Sequence, residues 1–144
     1  MPGRLLVAAQ FLLIALLIWP WNAPVFVVPA IVMALPAVAF GLWILKYNRP
    51  GNFNIRPDVK PGARLVVDGP YALVRHPMYV AVLWLGLCAV LLYASAAALL
   101  LWLLLWWVLD RKAALEEHHL RAHFVEYSAY TDKVGRFLPK RLRG

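Results

Sequence analysis

A chain of 144 residues holds one domain at most. Its 63% hydrophobic content and mean hydropathy of +0.67 exclude an ordinary soluble domain. The net charge of +8 would suit a nucleic-acid binder, but no Asp, Glu, Lys or Arg occurs from Leu5 to Leu45 or from Pro77 to Leu109. Uncharged runs of that length belong in a bilayer, where a span takes roughly 20 apolar residues. The sequence is that of an integral membrane protein. Cys88 stands alone in an apolar segment, so neither a disulfide framework nor a thiolate metal cluster is available.

Leu5–Trp19 is expected to form a first helix, closed by Pro20 and bracketed by Trp19 and Trp21 at interface depth. It resembles a signal peptide but shows no small-residue cleavage site, so a retained span is expected. Pro24–Lys46 reads as a second helix, with Pro29 and Pro36 inside it as membrane helices tolerate. Residues 47–70 are rich in Pro, Gly and Asn and read as a loop, with a short extended piece at "RLVV" before the turn "DGP". A loop of that length is functional or disordered rather than a mere connector. As one helix, Pro77–Leu109 would measure about 50 Å, too long for a hydrocarbon core of about 30 Å. Two helices meeting near Tyr93–Ser95 fit better. From Asp110 the chain turns polar, and a helix is expected to continue with Lys112, Glu116, Leu120, His123, Phe124 and Tyr127 on one face and Arg111 on the other. "GRFLPKRLRG" closes the chain as a basic tail.

These elements predict an all-α, polytopic membrane bundle of about four transmembrane helices plus a cytoplasmic C-terminal helix. The single domain 1–144 divides into two spans (1–46), a cytoplasmic loop (47–76), a helical hairpin (77–109) and a cytoplasmic helix with its basic tail (110–144). The breaks "WPWNAP" (19–24) and "LYASA" (92–96) hold no Lys or Arg. If both are hairpin tips, every basic residue falls on one side, which the positive-inside rule makes cytoplasmic. Both termini are then cytoplasmic, and the charge serves topology and anionic lipid rather than nucleic acid.

Two places carry polar groups that such a chain does not need for spanning. In "GPYALVRHPMYV" (69–80), Pro77 suits the first position of a helix and His76 would cap it. The helix start, flanked by Arg75 and His76, is a seat for a carboxylate or phosphate. The plainer reading is a snorkelling Arg75 and a capping His76. Further on, Glu116 and Glu117 are adjacent and so do not share a helix face. They read either as a ligand-binding pair with divided roles or as a solvated turn paired with Lys112 or Arg121. Glu116, His119 and His123 lack a fourth ligand, so no metal is expected.

"GPYALVRHPMYV", a hydrophobic hairpin, then "EEHHL" (116–120), "EYSAY" (126–130) and "RFLP" (136–139) together resemble the isoprenylcysteine carboxyl methyltransferase family, over residues 47–139. Small bacterial phospholipid and thiol methyltransferases share that architecture. The resemblance implies an S-adenosylmethionine-dependent methyltransferase. It implies cofactor contacts from Leu65, Val66, Tyr71, Arg75, His76, Tyr79, Glu116 and Glu117. It places a basic residue, Arg111 or Lys112, at the acceptor end, with Glu116 beside it as a catalytic group. The helical wheel prefers Lys112, where relatives often carry Arg. "HFVEY" lacks a glycine common before "EY", and Ala81 stands where a glycine is common after the RHP element. The partners implied are membrane lipids and a lipophilic acceptor, with no nucleic acid; nothing in the sequence speaks to oligomeric state. The acceptor is a prenylated cysteine carboxylate, a phospholipid amine or a thiol, and a non-catalytic membrane subunit of the same fold is the alternative from another class.

Overall fold

The computed structural model describes residues 3–20, 22–47 and 65–140. These form six helices and no strand: α1 (Gly3–Ile18), α2 (Val27–Tyr47), α3 (Pro70–Leu73), α4 (Pro77–Tyr93), α5 (Ala96–His123) and α6 (Tyr127–Lys133). The all-α expectation holds. Most of the expected 47–70 loop, Trp21 and the last residues of the basic tail lie outside the described residues. Leu65, Val66 and Val67, which belong to the expected extended piece, form no strand.

The hairpin divides where its length required. Pro77 occupies the first turn of α4 and His76 is its N-cap residue, although the imidazole makes no capping bond. At the other end Ala94 takes a left-handed conformation (φ 48°, ψ 37°) as the C-cap, and Ser95 in extended conformation opens α5. A non-glycine residue in that region is uncommon and marks a sharp reversal.

α4 lies at the centre, packed against α2 on one side and against α5 and α1 on the other; α1 also packs along α5. Small residues make this possible. α2 meets α4 through Ala30, Ala37 and Ile44, spaced seven apart, and α4 contributes buried Ala81, Gly86 and Cys88. Such residues let helix backbones approach closely where lipid supplies no hydrophobic drive. A Cβ on Gly86 would come within 2.9 Å of the Trp102 ring, and Trp102 uses that space to donate its indole N–H to the Leu83 carbonyl (2.8 Å). The core itself comprises Leu17, Tyr79, Leu83, Ala98, Leu105, Leu109 and Ala113.

Outside this seam the surface is apolar. Val28, Leu35 and Leu42 of α2 are 70%, 66% and 64% exposed, far more than a soluble monomer leaves uncovered. α2 is the described helix that is long and apolar enough to cross a membrane unaided; α1 and α4 are apolar but shorter.

The two uncharged tips meet at one end. Val25 N–H donates to the Leu92 carbonyl at 2.7 Å, and the Asn22 side chain donates to the Tyr93 carbonyl at 3.1 Å. The start of α4 lies at the far end, about 25 Å away at 1.5 Å per residue. There the polar residues collect.

The charged helix differs from expectation at its close. α5 stops at His123, and Phe124 turns extended (φ −118°, ψ 116°). Tyr127 therefore starts a new helix instead of continuing the α5 face. The break lets the chain fold back towards α4, with Val74 and Gly135 forming an isolated parallel bridge.

Candidate active site

The two polar places singled out in the sequence, 41 residues apart, meet at the N-terminal end of α4. Glu117 is the hub. Its Oε1 accepts from Arg75 Nε (3.1 Å) and Nη2 (3.0 Å) and from Arg136 Nε (3.0 Å), and lies 3.1 Å from His76 Nε2. Its Oε2 accepts from Arg136 Nη2 at 2.9 Å. The Glu117 side chain is 4% exposed. Burial alone would raise its pKa. The hydrogen bonds from His76 and Arg136 and the charge of Arg75 reverse that, holding it well below the usual carboxylate range.

The guanidiniums are themselves fixed. Arg75 Nη1 donates to the Val134 carbonyl at 2.7 Å, and Arg136 Nη1 to Asp110 Oδ1 at 2.7 Å. The backbone repeats the connection, since Arg75 N–H donates to the Gly135 carbonyl (2.8 Å) and His76 N–H to the Arg136 carbonyl (3.2 Å). Residues 134–137 thus form a strap across the start of α4. Farther out, the Tyr130 hydroxyl donates to the Tyr71 carbonyl at 2.6 Å, tying α6 to α3.

Glu116 is placed differently. It accepts from the Tyr79 hydroxyl and lies 3.5 Å from His76 Nδ1, with its side chain 18% exposed. The His76 and Tyr79 rings stack in parallel, 5.4 Å between centroids, and Phe137 closes on both edgewise. Tyr71 sits near enough that burial, and then the charge of Glu116, push its hydroxyl up to about 12.

His76 bridges the two carboxylates. Burial disfavours its charged form, but Glu116 and Glu117 outweigh burial and raise its pKa above the ordinary 6.5. A raised histidine contributes stability that is complete below the unfolded value and is lost as pH climbs through the folded one. Glu117, being depressed, contributes in full above its ordinary 4.5 and loses that contribution as pH falls below it towards the folded value. The cluster is therefore strongest between about pH 4.5 and 6.5. Thermal unfolding of the detergent-solubilised protein should shift to lower temperature as pH rises from 6 to 9, and His76→Gln should flatten that slope. An equal slope in wild type and variant would contradict the assignment.

Of the acceptor-end candidates, Lys112 is buried and Arg111 is exposed. Lys112 Nζ donates to Gln10 Oε1 at 2.9 Å and lies 5.1 Å from the Tyr79 ring centroid. Burial lowers its pKa, opposed by Glu116. Arg111 instead covers Trp107 on the outer face, 5.8 Å from the ring centroid. Leu65 and Val66 are half-buried in the segment leading to α3.

The anion seat expected at the start of α4 has an internal occupant. The imidazole and guanidinium turn to Glu117 rather than outward, because α5 delivers that carboxylate to them. Sequence reasoning missed Arg136, Asp110 and Gln10. Arg136 lay within the quoted "RFLP", and Gln10 was legible as the lone glutamine in an apolar span, where a polar side chain has a functional or pairing reason.

Glu116 keeps partial exposure beside an aromatic wall, and the buried Tyr127 hydroxyl has no hydrogen-bond partner among the described residues. A partly exposed carboxylate beside stacked aromatic rings fits a ligand with polar and aromatic parts, the character of S-adenosylmethionine. The arrangement is that of an apolar helical protein with a polar, aromatic-walled site at one end of a membrane-type hairpin. The sequence model of the isoprenylcysteine carboxyl methyltransferase family matches residues 30–122, and the chain belongs to that family. It is accordingly a membrane methyltransferase by family. No curated protein matches it as a relative.

Proposed function

We propose that the chain is an S-adenosylmethionine-dependent methyltransferase acting on a lipophilic, membrane-borne acceptor, by O-methylation of a carboxylate of the isoprenylcysteine kind. The observation that carries this reading is the convergence of Glu116, His76 and Tyr79 with the buried Lys112 at one end of the hairpin.

Tyr71, His76, Tyr79 and Glu116 hold the cofactor, with Leu65 and Val66 on the approach. Arg75 and Glu117, saturated by each other, by His76 and by Arg136, serve by fixing that wall. Glu116 accepts from a hydroxyl or ammonium group, and the Tyr79 ring offers its face to a cation. S-adenosylmethionine supplies a methyl group on a cationic sulfonium that becomes neutral on transfer. Lys112, the basic group at the acceptor end, orients an anionic acceptor. A carboxylate acceptor has no proton to lose, so alignment and exclusion of water suffice without an acid–base triad.

The single domain spans the bilayer four times, through α1, α2, α4 and the apolar part of α5, with both termini and the site cytoplasmic. The joining of the two uncharged tips, opposite the end where the charged cluster lies, supports this topology.

The acceptor class is decided by offering the purified protein, with methyl-labelled cofactor, an S-farnesylated cysteine, phosphatidylethanolamine and a long-chain thiol. The expected product is a base-labile methyl ester on the first. Label retained in an N-methyl lipid or a thioether would replace the carboxylate reading. No transfer to any of the three, with S-adenosylhomocysteine still bound, would make the chain a non-catalytic subunit.

A further inference from the structure

Gln10 is the chain's single glutamine, and it stands in a seam otherwise built of leucines and an isoleucine. The buried positions of α1 are Leu6, Gln10 and Leu17, with Leu13 and Ile14 packed beside them. Their spacing places Gln10 on the face that meets α5. A buried amide is costly unless it is hydrogen-bonded. Gln10, 9% exposed, takes its bond from Lys112, which is 3% exposed.

Lys112 is the unusual member of the pair. The groups facing its ammonium are the neutral amide oxygen of Gln10 on α1, the Tyr79 ring face on α4 and, one turn further along α5, the Glu116 carboxylate. An ammonium has three donors, and the amide occupies one of them without cancelling the charge. A carboxylate at position 10 would hold the lysine equally well but neutralise it. An alkyl group would leave it free to swing. A neutral acceptor that fixes the cation and preserves its charge is what a site for an anionic group requires.

We propose that Gln10 is a positioning residue for the acceptor end: it anchors the Lys112 ammonium over Tyr79, so that α1 helps determine which acceptor head group is taken. The proposal rests on the functional reading above. It extends the site to a residue outside the 30–122 segment that matches the family.

The direct test needs no turnover. The chain has five lysines, and the ε-carbon signal of Lys112 in carbon-13-lysine protein is assigned by its loss in Lys112→Met. With Gln10→Leu the Lys112 titration midpoint should fall by about one unit, and with Gln10→Glu it should rise by about one unit or more, as the stabilising partner is removed or made anionic. Gln10→Glu keeps a partner on the lysine, so the experiment survives if the leucine variant folds poorly. Midpoints that do not move would overturn the proposal.

Kinetics with an S-farnesylated cysteine add a second readout. Gln10→Leu should raise KM roughly tenfold while leaving S-adenosylhomocysteine affinity within about twofold, and the same change should have no further effect in a Lys112→Met background. Additive effects would show that Gln10 acts by packing alone and would also overturn the proposal. A wild type that binds no S-adenosylhomocysteine sinks the functional reading itself. Normal binding with Gln10 variants indistinguishable from wild type sinks the positioning role and leaves that reading standing.

Discussion

Replacing Glu117 by alanine is expected to cost the protein both its cofactor affinity and a large part of its stability. Two guanidiniums and an imidazole converge on this one carboxylate, within 3.1 Å or less. Removing the centre leaves Arg75, at 10% exposure, with only backbone carbonyls to answer its charge. Breaking a buried ion pair from one side costs about 3–5 kcal/mol. For a chain of this size that corresponds to a fall of roughly 10 °C or more in Tm, readable by tryptophan fluorescence in detergent. His76 would lose one of the two partners that raise its pKa and would turn more neutral at pH 7, so the wall of the proposed cofactor site changes as well. Glu117→Gln keeps the shape without the charge and should fall between wild type and Glu117→Ala. A loss below about 1 kcal/mol for Glu117→Ala would place this cluster among ordinary surface pairs.

Gly135→Ala should be nearly as damaging, although it adds a single methyl group. A Cβ at that position would drive into the Leu138 carbonyl oxygen and lie 3.1 Å from the Leu138 carbonyl carbon and 3.3 Å from Lys140 N. All three are backbone atoms and cannot swing aside as a side chain would. Relief means opening the turn, which moves the strap from Arg75 and His76 and withdraws Arg136 from Glu117. Losing several such hydrogen bonds at about 1 kcal/mol each predicts a destabilisation of about 2–3 kcal/mol. Cofactor affinity should fall tenfold or more. Gly41→Ala is the matched control. It has open space around it in α2, and alanine there should be neutral or stabilising by up to about 1 kcal/mol. Equal behaviour of the two variants would refute the strap's role.

What the sequence made legible was local. The length of the apolar run forced a break near Tyr93–Ser95, and the chain reverses at Ala94. Pro77 marked the start of α4. The 3.6-residue period separated Lys112 from Arg111 without any tertiary information. What stayed hidden depends on contacts between distant segments. Glu116 and Glu117 are identical by composition, and their division into an accessible acceptor and a saturated hub follows from Arg136, which reaches back after α5 ends and α6 turns the chain. The end of α5 at His123 was equally obscure, because "HFVEY" holds neither Gly nor Pro to announce it. Gln10 and Lys112 lie 102 residues apart, and no periodicity connects them. The motif resemblance brought Arg75, His76 and Glu116 to one site in advance of the coordinates, while burial and pairing supplied their roles.

The measurement that bears most directly on the central claim is a calorimetric titration of S-adenosylhomocysteine into the solubilised protein and its Glu116→Ala and His76→Ala variants. Wild type should bind with a Kd in the micromolar range, a free energy of about −8 kcal/mol, and each variant should be weaker by tenfold or more while remaining folded. A folded wild type that evolves no heat of binding, or variants that bind as tightly as wild type, would contradict the placement of the cofactor at the α4–α5 cluster.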